Sequence, residues 1–169
     1  SSGVRLLHEI YDSAQNLSNI EEYLRELLVK VCEYQDWPVA HIYKVIEEDD
    51  EFTIHPTNIW HTSTSLNSIS QFREITANSK FSIGEGLPGR VLEDKKPAWI
   101  KDVTKDDNFP RAKDARDIGV KGAFAFPVFG ADGIKFIIEC FSLAAEEPDP
   151  AVLSLMQQVS FEINKLLKL

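Results

Sequence analysis

The sequence has little cysteine, a deficit of positive charge and no long apolar run. Cys32 and Cys140 lie far apart and form no C-x-x-C motif, which favours two buried thiols over a redox or metal-binding pair. Eighteen basic residues against 27 acidic residues leave a formal net charge of −9. We therefore expect no binding to nucleic acid or to anionic membrane surfaces.

No stretch of about 18 apolar residues is present, and no secretory signal opens the sequence. We therefore expect a cytoplasmic protein with no membrane insertion. The sequence begins with Ser1, Ser2 and Gly3 instead of methionine, so we expect it to be a fragment of a longer protein. Its 169 residues, of which 43% are apolar and 27% charged, predict one folded domain with a sizeable core.

Apolar residues at helical spacing predict helices at both ends of the chain. Residues 4–17 and the stretch after Ser18 carry apolar stripes, and Ser18 with Glu21 forms a capping-box pattern. Pro148 and Pro150 open a terminal helix that runs to Leu169 and repeats apolar residues in heptad rhythm. We expect residues 1–19 to form a connecting or dimerisation helix and residues 20–169 a single domain. The predicted homodimer seam comprises Leu7, Ile10, Ala14, Val159, Ile163 and Leu166; packing on the sheet is the alternative.

The middle of the chain reads as antiparallel strands. Residues 39–46 and 52–61 are rich in β-branched and aromatic side chains and flank an acidic turn. Residues 122–129 and 134–142 flank a Gly-Ala-Asp-Gly turn, with Pro127 indicating an edge or bulged position. The order of helices and strands predicts an α+β fold, with long helices on one face of a sheet and short segments on the other.

A glycine-rich loop, residues 84–89, spells G-x-G-x-x-G. The dinucleotide-binding form of this motif must open a long helix, whereas Pro97 leaves room here for about two turns. The protein-kinase form needs further motifs that the sequence lacks and a longer chain. The loop is therefore interpreted as a structural turn that leads into a short helix, residues 88–93, and a short strand.

Several motifs together resemble a GAF domain, a regulatory module found in bacterial sensor kinases, cyclic-di-nucleotide enzymes and phytochromes. They are Gly84-Glu-Gly-Leu-Pro-Gly-Arg-Val91, Pro97-Ala-Trp-Ile-Lys-Asp-Val103, Phe109-Pro-Arg111 and Ala125-Phe-Pro-Val128. The resemblance covers about residues 20–169. It implies a central antiparallel sheet of five or six strands, a ligand pocket roofed by loops between Trp60 and Gly119, and terminal helices that pair subunits.

Most of the residues that the better-known chemistries of that family require are absent from this sequence. The only Asn-Lys pair is near the end of the chain, so the cyclic-nucleotide signature is absent, and no cysteine lies between Trp60 and Gly119 for covalent bilin attachment. Two thiols on a helix and a strand do not supply the cysteine cluster of free methionine sulfoxide reductases, so we expect no enzymatic activity. Haem ligation by His55 or His61 stays open as an alternative.

A non-covalent small-molecule site is what remains. Arg111 follows Phe-Pro at a predicted helix start, where a cation gains nothing from the helix dipole, so it is either placed to meet an anion or solvated. Glu139, in an otherwise apolar strand, faces either solvent or the pocket. We expect a non-enzymatic sensory domain that signals through its terminal helices to an output domain, or a ligand-free dimerisation module. The candidate ligand-binding residues are Trp60, Phe81, Trp99, Asp102, Phe109, Arg111, Phe124, Phe126 and Glu139, with Phe141 beside them.

Overall fold

A computed structural model describes residues 2–16, 19–63 and 67–167. Within these ranges the helices are α1 Ser2–Asn16, α2 Ile20–Gln35, α3 Asn67–Ala77, α4 Gly86–Asp94, α5 Ala112–Ile118 and α6 Pro150–Leu167. The strands are β1 Val39–Glu48, β2 Glu51–Thr62, β3 Phe81–Ser82, β4 Ala98–Ile100, β5 Ala123–Gly130 and β6 Gly133–Phe141. A 3-10 turn, Val103–Lys105, follows β4. The predicted α+β class is confirmed.

The strands form one antiparallel sheet in the order β3-β2-β1-β6-β5-β4. Two hairpins, β1–β2 and β5–β6, meet along the central β1–β6 pair, so β6 is hydrogen-bonded on both sides. A side chain on β6 is therefore held by a rigid part of the molecule. None of the helices in the described ranges is long and apolar enough to cross a membrane.

Alternation along the strands divides the core into two layers, one on each face of the sheet. On the first face, which we call the helix face, α1, α2 and α6 pack on residues such as Ile42, Phe126 and Ile138. On the opposite face, which we call the site face, α3, α4, α5 and the loops cover residues such as Tyr43 and Phe141. Long helices on one face and short segments on the other match the sequence prediction.

The predicted subunit seam forms part of the core within the chain. Ile10, Val159 and Ile163 are buried against residues of the same chain. Leu7, Ala14 and Leu166 are partly buried beside them. The heptad rhythm of α6 thus agrees with packing within the chain, which is the alternative that the spacing left open. That the partly exposed Leu7, Ala14 and Leu166 also contact a second subunit stays a prediction.

One local prediction needs correction, and a second can be compared with the pairing of the strands. Asn19, not Ser18, caps α2, because the Asn19 side chain accepts a hydrogen bond from the Glu22 backbone N–H at 2.8 Å; Ser18 lies outside the described residues. Pro127 lies on β5, which is inside the sheet order, yet β4 pairs only with Ala123–Ala125 of that strand. Pro127 therefore faces no partner strand on the β4 side, and its missing N–H breaks no ladder there.

Candidate functional site

A row of polar and aromatic residues crosses the middle of the site face. His41 on β1 lies directly opposite Trp60 on β2 and directly opposite Glu139 on β6. Directly opposed residues share a face, so all three side chains point away from the long helices. The imidazole of His41 lies against the indole of Trp60, with 4.2 Å between ring centroids. His41 and Glu139 are fully buried.

Arg111 reaches this row from the opposite layer, at the N-terminus of α5. Its Nη2 donates to Glu139 Oε1 at 2.9 Å and its Nη1 donates to Glu139 Oε2 at 3.2 Å, a bidentate ion pair. Nη1 also donates to Thr76 Oγ1 on α3 at 3.1 Å. The side chains of Arg111 and Glu139 are 2% and 0% exposed. Of the two sequence interpretations of each residue, the solvent-facing one is wrong for both.

The guanidinium of Arg111 lies inside a shell of aromatic rings. Its Cζ is 4.8–5.7 Å from the centroids of five rings. At such distances the negative face of a ring attracts a cation. The shell, which we call the aromatic cage, consists of Tyr43 on β1, Phe72 on α3, Phe81 on β3, Phe109 after β4 and Phe141 on β6.

The charges of the site stabilise one another. Burial alone raises the pKa of Glu139, but the Arg111 charge and hydrogen bonds from His41 and Arg111 outweigh it and hold that pKa below its usual range. Burial lowers the pKa of Arg111, and the Glu139 carboxylate outweighs this and raises it. His41 Nδ1 is 3.1 Å from Glu139 Oε2, and its Nε2 is 3.0 Å from the Thr57 carbonyl oxygen. His41 therefore links the Glu139 carboxylate on β6 to the backbone of β2.

Two polar atoms at this site are buried without a hydrogen-bond partner among the described residues. They are the Tyr43 hydroxyl oxygen and Arg111 Nε. Burial raises the pKa of Tyr43 well above its usual value, so the hydroxyl is neutral and can both donate and accept. Orphaned buried polar groups are rare because each costs about 1–3 kcal/mol. The site therefore has unused hydrogen-bonding capacity next to its ion pair.

The glycine-rich loop is locked in place beside the cage. Asn108 accepts a hydrogen bond from Gly86 N–H and donates to the Gly84 carbonyl, both at 2.9 Å. Arg90 forms an ion pair with Asp106 on the same turn. At Gly89 an added Cβ would lie 2.6 Å from the Ser82 carbonyl oxygen, so no other residue fits. The loop acts as a structural clasp, as the sequence predicted, and α4 after it spans only nine residues.

The structure brings together five of the nine candidate residues and separates the other four. Trp60, Phe81, Phe109, Arg111 and Glu139 meet at the site, with Phe141 beside them. Phe124, Phe126 and Trp99 lie on the helix face, where Trp99 stacks on Phe124 and packs against Trp37. Asp102 caps the 3-10 turn by accepting from Thr104 N–H and its hydroxyl. These four lie apart from the Arg111–Glu139 pair, and their part in ligand binding stays a prediction.

Sequence reasoning missed His41, Tyr43, Phe72 and Thr76. His41 and Tyr43 are two residues apart on a predicted strand and so share a face. That spacing was a usable signal, but only once the pairing of β1 with β6 is known. Phe72 and Thr76 are four residues apart on α3, a spacing that places them on one helix face.

The thiols and the remaining histidines lie elsewhere. Cys32 and Cys140 are both buried in the core of the helix face, across the sheet from Glu139. His61 lies opposite Ala40 and His55 opposite Lys44 on β1, positions that alternate with His41 and Tyr43 and so face away from the site. Among the described residues no group of three or more His, Cys, Asp or Glu could hold a metal ion.

A six-stranded antiparallel sheet with long helices on one face and an enclosed polar site on the other defines a small α+β domain. The sequence model of the GAF domain matches residues 18–167. The chain belongs to the GAF domain family, a family of modules that generally sense small ligands or regulate.

Curated relatives match a limited part of the chain. Protein NLP1 of Arabidopsis thaliana is 37% identical over 70 residues, which is 37% of this chain and 8% of that protein. Protein NLP7 of the same plant is 35% identical over 75 residues, 40% of this chain and 8% of that protein. The chain thus spans less than a tenth of the length of these relatives.

Solved structures match nearly the whole chain at low identity, which shows the fold alone. The GAF domain of Acinetobacter phosphoenolpyruvate-protein phosphotransferase superposes with a TM-score of 0.71 at 12% identity, covering 99% of this chain and 93% of that one. Free methionine-R-sulfoxide reductase from Neisseria meningitidis, in complex with its substrate, gives 0.74 at 10% identity, covering 98% and 88%. The solved structures that share this fold thus include an enzyme as well as a GAF domain.

Proposed function

We propose that this chain is a non-enzymatic sensory domain of a signal-transduction protein, which binds a small ligand non-covalently on the site face. The observation that carries the proposal is the buried Arg111–Glu139 pair with two unpartnered polar atoms beside it. An ion pair in a low-dielectric core contributes little to stability compared with apolar side chains of the same size. A buried polar site that adds little to stability is better explained by ligand binding. A solved structure of the same fold holds a substrate, which supports this explanation.

The position of the thiols supports a non-enzymatic role. A cysteine-based reductase needs its thiols at the ligand, and both cysteines here lie on the helix face. Burial, followed by the neighbouring Cys32, raises the pKa of Cys140 well above its usual value. A thiol held in its neutral form is a poor nucleophile. The proposed site offers binding groups and no activated nucleophile from cysteine.

The terminal helices are the proposed route of the signal. α1 packs on α2 and α6, and α6 packs on β5. β5 is paired with β6, the strand that carries Glu139. A ligand that binds one arrangement of the site better than another shifts the population of that arrangement. Such a shift reaches the helix face through β6 and from there an output domain, such as a kinase or cyclic-di-nucleotide enzyme, elsewhere in the protein.

We further propose that two copies associate through the outer surface of these helices. Tyr11 on α1 and Phe161 on α6 are 50% and 54% exposed, and Phe161 shares a shallow groove with Leu7. We expect Phe161→Glu to convert a dimer to a monomer in light scattering. Phe52→Glu, at a 41% exposed position on β2, is the control and should leave the mass unchanged. Equal masses for the wild type and both variants would contradict this interface.

Native mass spectrometry of the purified protein tests the proposed function directly. We expect a native mass that exceeds the denatured mass by that of a non-covalently bound small molecule, and the excess should disappear in Glu139→Gln. A native mass equal to the denatured mass, with no ligand recovered after dialysis against a metabolite extract, would contradict the proposal.

A ligand-free dimerisation module is the second candidate, and one observation favours it. The Arg111 side chain fills the centre of the cage that a ligand would need. In that case the pair is purely structural. The haem alternative receives no support from His55 or His61, which face away from the site.

A further inference from the structure

We propose that the site recognises a cationic small molecule bearing a guanidinium or ammonium group, and that Arg111 is a built-in competitor that occupies this position in the closed state. The inference rests on the proposed function and names the ligand class. It starts from the surroundings of the guanidinium: five aromatic rings around it and a carboxylate paired with it.

The aromatic cage determines the sign of the charge that the site can bind. Each ring presents its negative face to a cation, and an anion in the same place would be repelled. The closest centroid, that of Phe109, is 4.8 Å from Arg111 Cζ. Glu139 adds one full negative charge. The five rings and the Glu139 carboxylate all attract a cation at the position of the Arg111 guanidinium.

The recognising groups and the competitor differ in how firmly they are held. Glu139 and Phe141 lie on β6, which is paired with strands on both sides, and Tyr43 lies on its neighbour β1. Arg111 stands at the start of α5, a helix of seven residues, and reaches the cage from outside the sheet on a long side chain. Exchange of Arg111 for a free cation therefore leaves the sheet side of the site intact.

The Tyr43 hydroxyl, on a ring of the aromatic cage, gives a second indication of a ligand. It is buried next to Arg111 and Glu139 and has no partner with good hydrogen-bond geometry among the described residues. A ligand with an N–H group that points at this oxygen would supply the hydrogen bond that Arg111 does not. The Arg111 side chain reproduces the charge of the expected ligand but not all of its hydrogen bonds.

Self-occupation predicts a measurable penalty on affinity. If the open cage is a small fraction of the population, the apparent Kd equals the intrinsic Kd divided by that fraction. Removal of the Arg111 side chain removes the competitor. Arg111→Ala should therefore bind a free guanidinium compound at least about tenfold more tightly than the wild type does, which corresponds to an open fraction of about one tenth or less in the wild type.

The test is a calorimetric and NMR titration with methylguanidinium as the probe and methylurea as its uncharged isostere. We expect saturable binding of methylguanidinium to the wild type with displacement of the Arg111 Nε–H resonance, tighter binding to Arg111→Ala, and none to Glu139→Gln. Methylurea should bind none of the three. If Arg111→Ala does not fold, the wild-type titration with the two probes decides on its own.

Two results would overturn the inference, and they bear differently on the proposed function. The first is that the wild type does not bind methylguanidinium at a probe concentration of about one hundred times the Kd of Arg111→Ala. Arg111 would then be a fixed structural partner of Glu139. The second is that the wild type binds acetate and not methylguanidinium, which would show that the ligand is an anion. In both cases a co-purifying ligand in native mass spectrometry keeps the proposed function, and its absence removes both.

Discussion

The energetic role of the Arg111–Glu139 pair can be measured with a double-mutant cycle. Removing one partner of a buried ion pair leaves an uncompensated charge and typically costs about 3–5 kcal/mol. We expect a loss of that size for Arg111→Met and for Glu139→Gln, because both side chains are at most 2% exposed. Replacing both partners of a buried ion pair by well-packed apolar side chains of similar volume is often neutral or stabilising. The double variant should therefore lose no more than about 2 kcal/mol.

The assay is urea denaturation followed by tryptophan fluorescence and circular dichroism. The chain supplies its own control in Glu21 and Arg25, an exposed pair on α2 with 3.4 Å between the charged atoms, whose cycle should give about 0.3–0.5 kcal/mol. A double variant that loses the sum of the two single losses would show that Arg111 and Glu139 stabilise the fold independently. The reasoning about the pair would then be refuted.

Three further predictions concern pH, the thiols and the loop clasp. The pKa of Glu139 is lower in the folded protein than in the unfolded chain, so the ionised carboxylate stabilises the fold above the unfolded pKa of about 4.3, and this stabilisation is lost as the pH falls further. The loss of stability in acid should therefore be less steep in Glu139→Gln than in the wild type. Equal dependence of stability on pH in the two proteins would contradict this. Cys32 and Cys140 are buried and should react with Ellman's reagent only after denaturation, so rapid labelling of the folded protein would refute their placement. Asn108→Ala removes two hydrogen bonds of the clasp and should cost about 1–3 kcal/mol of unfolding free energy, whereas Asn78→Ala, which removes one exposed bond, should cost less; equal losses would argue against the clasp.

The sequence was sufficient for the elements of the fold because their signals are local. The spacing of apolar residues and the positions of proline and glycine are sufficient to predict the α+β class and most of the strands and helices. The assignment of residues to faces depends on pairing, which is not local. Phe124 lies opposite Cys140 and Phe126 opposite Ile138, so both share the helix face and alternate with Glu139. Without that register, aromatic residues of both faces were grouped into one site.

The stability cycle and the cation titration together separate the two candidate functions. If the double variant is as stable as the wild type, the Arg111–Glu139 pair is not needed for folding, and its retention in an apolar core needs another explanation. Methylguanidinium binding that requires Glu139 would supply that explanation, since the same carboxylate then serves an internal and an external cation. If the double variant is instead strongly destabilised and the wild type binds no cation, the pair holds α5 onto β6, and the ligand-free module is the better description. The combination of a stable double variant with no binding would point to specificity of folding, in which the pair fixes the position of α5 at no gain in stability.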